Sequence, residues 1–219
     1  MRGPRSRRLF KNVFDVRRIP ILALRPPIHG ATSMTAHATD EIPLTIRMAR
    51  RADAASIARI FVESWRETYA NILPGAALTA MSPSQETQFW AGAIMRQSMR
   101  NPVLVAADAT EGLYGFLSAG PSRDRTLPFD AEVYTLYVAP GHTGQGIGAA
   151  LLDWCFHLFR RAGHRSAIIW ALADNPSRFF YERQGGKPVA ERAIRIFGSA
   201  RREVGYGWQN MKPYYGRKT

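Results

Sequence analysis

The stretch Val138-Ala139-Pro140-Gly141-His142-Thr143-Gly144-Gln145-Gly146-Ile147-Gly148 decides how this chain is read. Residues 132–138 ahead of it, Glu-Val-Tyr-Thr-Leu-Tyr-Val, have the β-branched and aromatic make-up of a strand. Behind it Ile147, Ala150, Leu151, Trp154, Cys155 and Leu158 recur at the spacing of one helical face. A strand therefore passes into a helix through glycines. Gly144, Gly146 and Gly148 let the backbone approach a ligand with no Cβ in the way, and the helix they open offers unpaired N–H groups and the positive end of its dipole. Such a turn binds phosphate. A P-loop would need Lys-Ser/Thr where this chain has Ala149-Ala150, and a dinucleotide-binding turn would need a GxGxxG arrangement, so both are set aside.

Outward from the turn, the chain alternates strands and helices. Residues 44–48 alternate apolar and polar, as a half-buried first strand does. Asp53 is placed to cap a helix whose inner face is Ile57, Ile60, Phe61, Ser64, Trp65 and Thr68, and residues 76–97 predict a second helix broken at Ser82-Pro83-Ser84. Residues 103–107 and 112–119 predict a hairpin. The helix after the glycine turn stops at Gly163, and residues 166–171 read as a buried strand. Asn175-Pro176 open another helix, with a side-chain cap and proline at its first position. Residues 188–197 and 203–208 predict a closing hairpin around Gly198-Ser199-Ala200. The order is β-α-α-β-β-β-α-β-α-β-β, an α/β chain with a mixed sheet covered by helices.

The strand, the Val-x-Pro step and the Gly-x-Gly-x-Gly entry to a helix resemble the acyl-CoA pyrophosphate loop of the GNAT superfamily of N-acetyltransferases. Asn175 followed by Phe180-Tyr181-Glu182-Arg183-Gln184-Gly185 resembles that family's Asn and Phe-Tyr-Glu-x-x-Gly segment. The element order over residues 44–210 is also the family's. Residues 62–69 and Tyr206-Gly207-Trp208 look like a subgroup of small bacterial acetyltransferases.

The resemblance implies a central sheet splayed at the strand before the turn, acetyl-CoA as acyl donor, and direct attack by the primary amine of a small molecule in a ternary complex. It assigns the backbone of Leu136, Tyr137 and Val138 to the pantetheine arm and thioester carbonyl, with the Val138 N–H as carbonyl donor. The amides of Thr143, Gly144, Gln145, Gly146, Ile147 and Gly148 would hold the pyrophosphate. Thr143 stands where the family usually carries Gln or Arg, so weaker coenzyme affinity is expected. Asn175 would contact the pantetheine amide or cap its helix. Tyr181 would be the general acid, since a phenol of pKa about 10 is protonated at neutral pH and can give its proton to a thiolate.

The base is open between Glu132, which begins the central strand and is otherwise a solvated strand end, and His142 beside the loop. Trp65 and Tyr69 of the first helix, residues 71–75 and the final hairpin around Phe197 are the expected acceptor-binding parts. They would make a partly apolar pocket. His157 and His164 form no metal-binding spacing with a carboxylate pair, and no metal is expected. Two other readings stand beside the first. A protein N-terminal or lysine acetyltransferase would need an open groove, and a non-catalytic acyl-CoA-binding module would keep the turn but have no need of Tyr181.

Composition bounds the rest. At 219 residues and 46% apolar content, the chain suits one domain with an extension: residues 1–43 basic and without a core, 44–214 the domain, 215–219 a tail. The formal net charge is +13. Residues 1–33 hold eight basic side chains against Asp15 alone, so more than half of that charge lies in residues 1–33, which read as a transit-like segment, a basic tail, or sequence upstream of a start at Met34. Its apolar run 19–24 is too short to span a membrane, and no aromatic interleaving suggests nucleic acid. A lone cysteine, Cys155, suits a reducing, cytoplasmic setting. A homodimer is left open.

Overall fold

A computed structural model describes residues 44–211. The expectations for residues 1–43, for a start at Met34 and for the tail 215–219 lie outside the described residues. In chain order the elements are β1 (Thr45–Met48), α1 (Ala54–Tyr69), α2 (Gly75–Thr79), α3 (Pro83–Met95), β2 (Val103–Ala107), β3 (Leu113–Pro121), β4 (Ala131–Val138), α4 (Ile147–Arg161), β5 (Ala167–Leu172), α5 (Arg178–Arg183), β6 (Lys187–Ile196) and β7 (Ser199–Trp208). The seven strands form one mixed sheet in the order β1-β2-β3-β4-β5-β7-β6. Only β4 and β5 run parallel; the other neighbours are antiparallel.

One face of the sheet is covered by α1 to α3. Ile57, Phe61, Trp65 and Tyr69 of α1 pack with Trp90 of α3 and with Phe116, Tyr137 and Leu172 from the strands. Phe61 sits centrally, its ring 5.4 Å from Tyr137 and 6.0 Å from Trp90, both edge-on. Pairs of this geometry add about 0.5–1.5 kcal/mol each beyond the area they bury. On the other face Leu151, Cys155 and Phe159 of α4 and Tyr181 of α5 pack on Leu117, Leu136, Val138 and Ile169.

Local chemistry shifts several expected boundaries. The broken second helix is two helices, because Pro83 has no N–H to continue a helix and instead takes the first turn of α3. Asp53 does not cap α1 with its side chain. Its carboxylate accepts the Arg50 N–H at 2.6 Å and pairs with Arg47 of β1 at 2.7 Å, closing the short turn before the helix. On α4 the buried stripe is Ile147, Gly148, Leu151, Leu152, Cys155, Phe156 and Phe159. The helix is thus rolled so that Leu152 and Phe156 face the sheet, while Ala150 lies outside. Asn175 precedes α5 by a turn, its Oδ1 accepting the Ser177 N–H at 2.9 Å. The last hairpin turns on Phe197 and Gly198 alone, with φ of 48° and 80°, so β7 starts earlier than expected, at Ser199.

The feature that positions the site is in β4. Ser118 of β3 faces Thr135 and Ala119 faces Val133, which leaves Tyr134 as an extra residue on β4. Such a bulge bends its strand and sharpens the local twist. The β4/β5 pairing covers only Ala131↔Ala167, Glu132↔Ile168 and Val133↔Ile169 and ends where the bulge begins. Beyond it β5 continues along β7 to Leu172. The two strands part, and a seam opens between them.

Candidate active site

The glycine turn closes one end of the seam. The His142 N–H donates to the Ala139 carbonyl at 3.0 Å, and Gly141 between them has φ of 81°. That is a turn with Pro140 at its second position and a left-handed residue at its third, which glycine adopts without steric cost. Gly146 is the N-cap of α4, again left-handed at 81°. Thr143, Gly144, Gln145 and Gly146 are exposed, and a Cβ on Gly144 or Gly146 would meet nothing within 4 Å. The turn is open to a ligand on its outer side, with the N-terminus of a 15-residue helix behind it.

The free edge of β4 forms the wall of the seam. The Ala139 N–H is spent on the Tyr114 carbonyl of β3 at 2.8 Å. Strand alternation then turns the backbone groups of Leu136 and Val138 to the opposite edge, where no strand pairs with them. The Val138 carbonyl accepts a long 3.4 Å bond from Ser64 Oγ of α1.

Tyr181 lies fully buried, with its ring 5.7 Å from that of Tyr206, and among the described residues its hydroxyl has no hydrogen-bond partner. Burial, then Tyr137 and Tyr206, push its phenol well above the ordinary range, so it stays protonated at neutral pH. Tyr69 is buried and its hydroxyl is likewise without a partner among the described residues. Trp65 donates its indole N–H to the Tyr137 hydroxyl at 2.8 Å, and Phe197 packs edge-on against it at 6.1 Å. Of the expected acceptor residues, Trp65 and Tyr69 are thus buried core aromatics of α1, and Phe197, at the turn of the last hairpin, packs against Trp65. Asn175 is buried in the turn before α5.

Glu132 is not a solvated strand end. It is 1% exposed and both oxygens are engaged by Arg123: Oε2 accepts the backbone N–H at 3.0 Å and Oε1 pairs with the guanidinium. His142 packs edge-on against Tyr114, 4.8 Å between ring centres.

Two further carboxylates were not singled out from the sequence. Glu203 of β7 is fully buried, with Oε2 accepting from Arg192 Nε at 2.7 Å and Oε1 without a partner among the described residues. Glu86 of α3 is buried with no cation beside it among the described residues, and burial pushes its carboxyl up to about 7. An unpartnered buried polar atom costs about 1–3 kcal/mol, so the Tyr69 and Tyr181 hydroxyls and Glu203 Oε1 are atoms that packing alone does not account for. The signal available beforehand was a lone Glu in the run Arg201-Arg202-Glu203-Val204-Gly205; a charge at an inward strand position stands out only once the register is known.

The model of the acetyltransferase (GNAT) family matches residues 57–186, more than half of the chain. The chain belongs to the GNAT acetyltransferase family. It is 33% identical over 168 residues to the uncharacterized N-acetyltransferase YuaI of Bacillus subtilis (strain 168), covering 77% of this chain and 94% of that one. Among solved structures, YncA from Salmonella typhimurium with its cofactor acetyl-CoA has a TM-score of 0.59 at 22% identity, covering 80% of this chain and 98% of that one. The PaiA N-acetyltransferase from Thermoplasma acidophilum, in complex with coenzyme A, has a TM-score of 0.59 at 20% identity, covering 76% and 99%. The seven-stranded mixed sheet is the fold these relatives share.

The residues of this GNAT chain fit an acyl-coenzyme A. An outward-facing glycine turn at a helix N-terminus suits a pyrophosphate, and an unpaired strand edge suits an amide-bearing arm. Among the described residues no group of three His, Cys, Asp or Glu side chains could hold a metal ion, and no helix is long and apolar enough to cross a membrane.

Proposed function

We propose that this enzyme carries an acetyl group from acetyl-CoA to the primary amine of a small molecule, by direct attack within a ternary complex. One observation carries the reading: the half of β4 that loses β5 ends in the glycine turn and lies on the face that holds the unpartnered Tyr181 hydroxyl. Acetyl-CoA supplies the acetyl group as an activated thioester. The amides of residues 143–148 hold its pyrophosphate, with Thr143 adding a hydroxyl, and Asn175 fixes the turn that leads into α5. The Val138 N–H, free on the seam side, donates to the thioester carbonyl oxygen, a contribution on the order of 3 kcal/mol when such a donor is fixed in place. Tyr181 Oη holds the proton that the departing sulfur takes up.

A small acceptor is favoured over a protein chain because the acceptor side is closed. The Arg201 guanidinium donates to the Ile72 carbonyl, tying the β6–β7 hairpin to the end of α1, and Phe197 covers Trp65. The single cysteine supports a reducing compartment, the cytoplasm, as the setting.

The test is release of free coenzyme A thiol from acetyl-CoA against a panel of primary amines, aminoglycosides, and peptides with free N-termini or lysines. Release with small amines is expected. Release with peptides alone would make the acceptor a protein. Calorimetric binding of acetyl-CoA with no release for any acceptor would favour a non-catalytic binding module.

A further inference from the structure

Three elements each bury a polar atom near the end of the sheet that loses the β4–β5 pairing: Tyr69 Oη of α1, Tyr181 Oη of α5 and Glu203 Oε1 of β7. None has a hydrogen-bond partner among the described residues. Glu203 stands opposite Leu172 in the β5–β7 register, and Leu172 packs in the cluster that holds Tyr69 and Tyr137. Burial, then Tyr137, Glu203 and Tyr181 in that order, push the Tyr69 phenol well above its ordinary value. The charged groups facing Glu203 are Arg192 of β6, Arg123 of the β3–β4 loop and Glu132 of β4; burial raises its carboxyl, the two arginines oppose this, and Glu132 adds to it.

We propose that Glu203 receives the acceptor's ammonium group, with Tyr69 beside it, and takes the proton that the amine must lose before attack. The proposal rests on the acetyl-transfer reading above. An anionic carboxylate oxygen and the Tyr69 phenol oxygen call for a cationic group with several N–H donors. A primary ammonium supplies three. A hydroxyl supplies one donor and no charge, and an acidic group would be repelled by Glu203. Trp65, Leu172 and Ile196 make the surroundings apolar, which suits an amine on a hydrocarbon or aromatic stem. In the proton transfer one N–H bond of the ammonium breaks and its electron pair returns to nitrogen, while an O–H bond forms at Glu203 Oε1. The products are a neutral amine and a neutral carboxyl group. Arg123 occupies both oxygens of Glu132, whereas one oxygen of Glu203 is left for this task.

The experiment uses the full chain with phenethylamine as probe and N-methylphenethylamine as control, read in two ways: calorimetric binding to the coenzyme A-bound protein, and thiol release from acetyl-CoA across pH. Loss of a charge-assisted bond predicts that Glu203→Gln weakens phenethylamine binding about 10- to 100-fold, leaves coenzyme A affinity unchanged, and removes the acidic limb of the kcat/KM profile. Tyr69→Phe, which keeps the ring packing, is expected to weaken amine binding about three- to tenfold. Unchanged amine binding in a folded Glu203→Gln protein overturns the proposal. If that variant does not fold, unchanged amine binding in Tyr69→Phe does so instead, as does equal affinity for the secondary amine. Absence of thiol release with every acceptor would count against the acetyl-transfer reading alone, because the binding arm reads Glu203 independently.

Discussion

The two halves of β4 carry opposite kinds of polarity. Up to Val133 the strand is paired on both edges, and its one buried charge, Glu132, is held by Arg123 through backbone and side chain. Past the extra residue Tyr134 it keeps only β3, and Tyr69, Tyr181 and Glu203 keep polar atoms with no partner among the described residues. The first half uses its buried charge to hold the fold; past the bulge it is the backbone edge of β4 that no strand pairs, and polar atoms of neighbouring elements that have no partner among the described residues. A single inserted residue, bending the strand between the halves, separates the two regimes. The difference can be broken by substitutions that should act on activity in one half and on stability in the other.

The largest effect is expected at Tyr181. Tyr181→Phe keeps the ring against Phe180 and Tyr206 and removes only the proton donor. Turnover should fall about 10²- to 10⁴-fold, with acetyl-CoA affinity preserved by calorimetry. Thermal stability should hold or rise, because a buried hydroxyl without a partner is removed. A variant with wild-type turnover, under conditions where chemistry limits, would make Tyr181 a packing residue and erase the contrast between the halves.

Glu132 should behave in the reverse way. Glu132→Gln leaves the Arg123 guanidinium facing a neutral amide, which should lower stability by roughly 1–3 kcal/mol while kcat/KM stays near wild type. Urea or thermal melts and the same thiol-release assay decide it. Loss of turnover together with the acidic limb of the pH profile would restore Glu132 as the base and remove Glu203 from that role.

A smaller change is expected where the open half meets the turn. Gly146→Val puts a β-branched residue where a left-handed conformation costs about 1–2 kcal/mol; the free turn relaxes out of it and must be forced back to hold the coenzyme, so acetyl-CoA affinity should fall by roughly five- to thirtyfold in a folded protein. Unchanged calorimetric affinity would detach the turn from the coenzyme.

How much of this could be read in advance follows from the range of the interactions. The glycine turn, the order of strands and helices and the Asn175–Tyr181 segment are local patterns, written within about ten residues of one another, and they were legible. The roll of α4 was not, because Leu151 and Cys155 at the centre of its stripe allow either Ala150 and Trp154 or Leu152 and Phe156 to face the sheet, and only the sheet decides. The environment of Glu132 depends on Arg123 folding back from a loop nine positions away. Glu203 and Glu86 were invisible for the same reason: burial of a carboxylate is a property of register and of packing between distant elements.

Glu86 sharpens the comparison most finely, since it shares with Glu132 a buried carboxyl but has no cation beside it among the described residues. Burial alone pushes its carboxyl from an ordinary 4.5 up to about 7. The folded protein therefore binds this proton more tightly than the unfolded chain does. Between about pH 4.5 and 7 the native state holds more protons than the unfolded one, so stability falls as pH rises through that window and levels off above it. Glu86→Gln removes the titration while keeping size and shape. The difference in Tm between variant and wild type, measured from pH 4.5 to 8, cancels every other titrating group. It should move in favour of Gln by several degrees, at about 2–4 °C per kcal/mol for a domain of this size and a change on the order of 3 kcal/mol for a carboxyl moved from 4.5 to about 7. A difference that stays flat across the window would mean that water or a rearranged neighbour already satisfies Glu86, and that a buried carboxylate in this core can do without the partner Glu132 has.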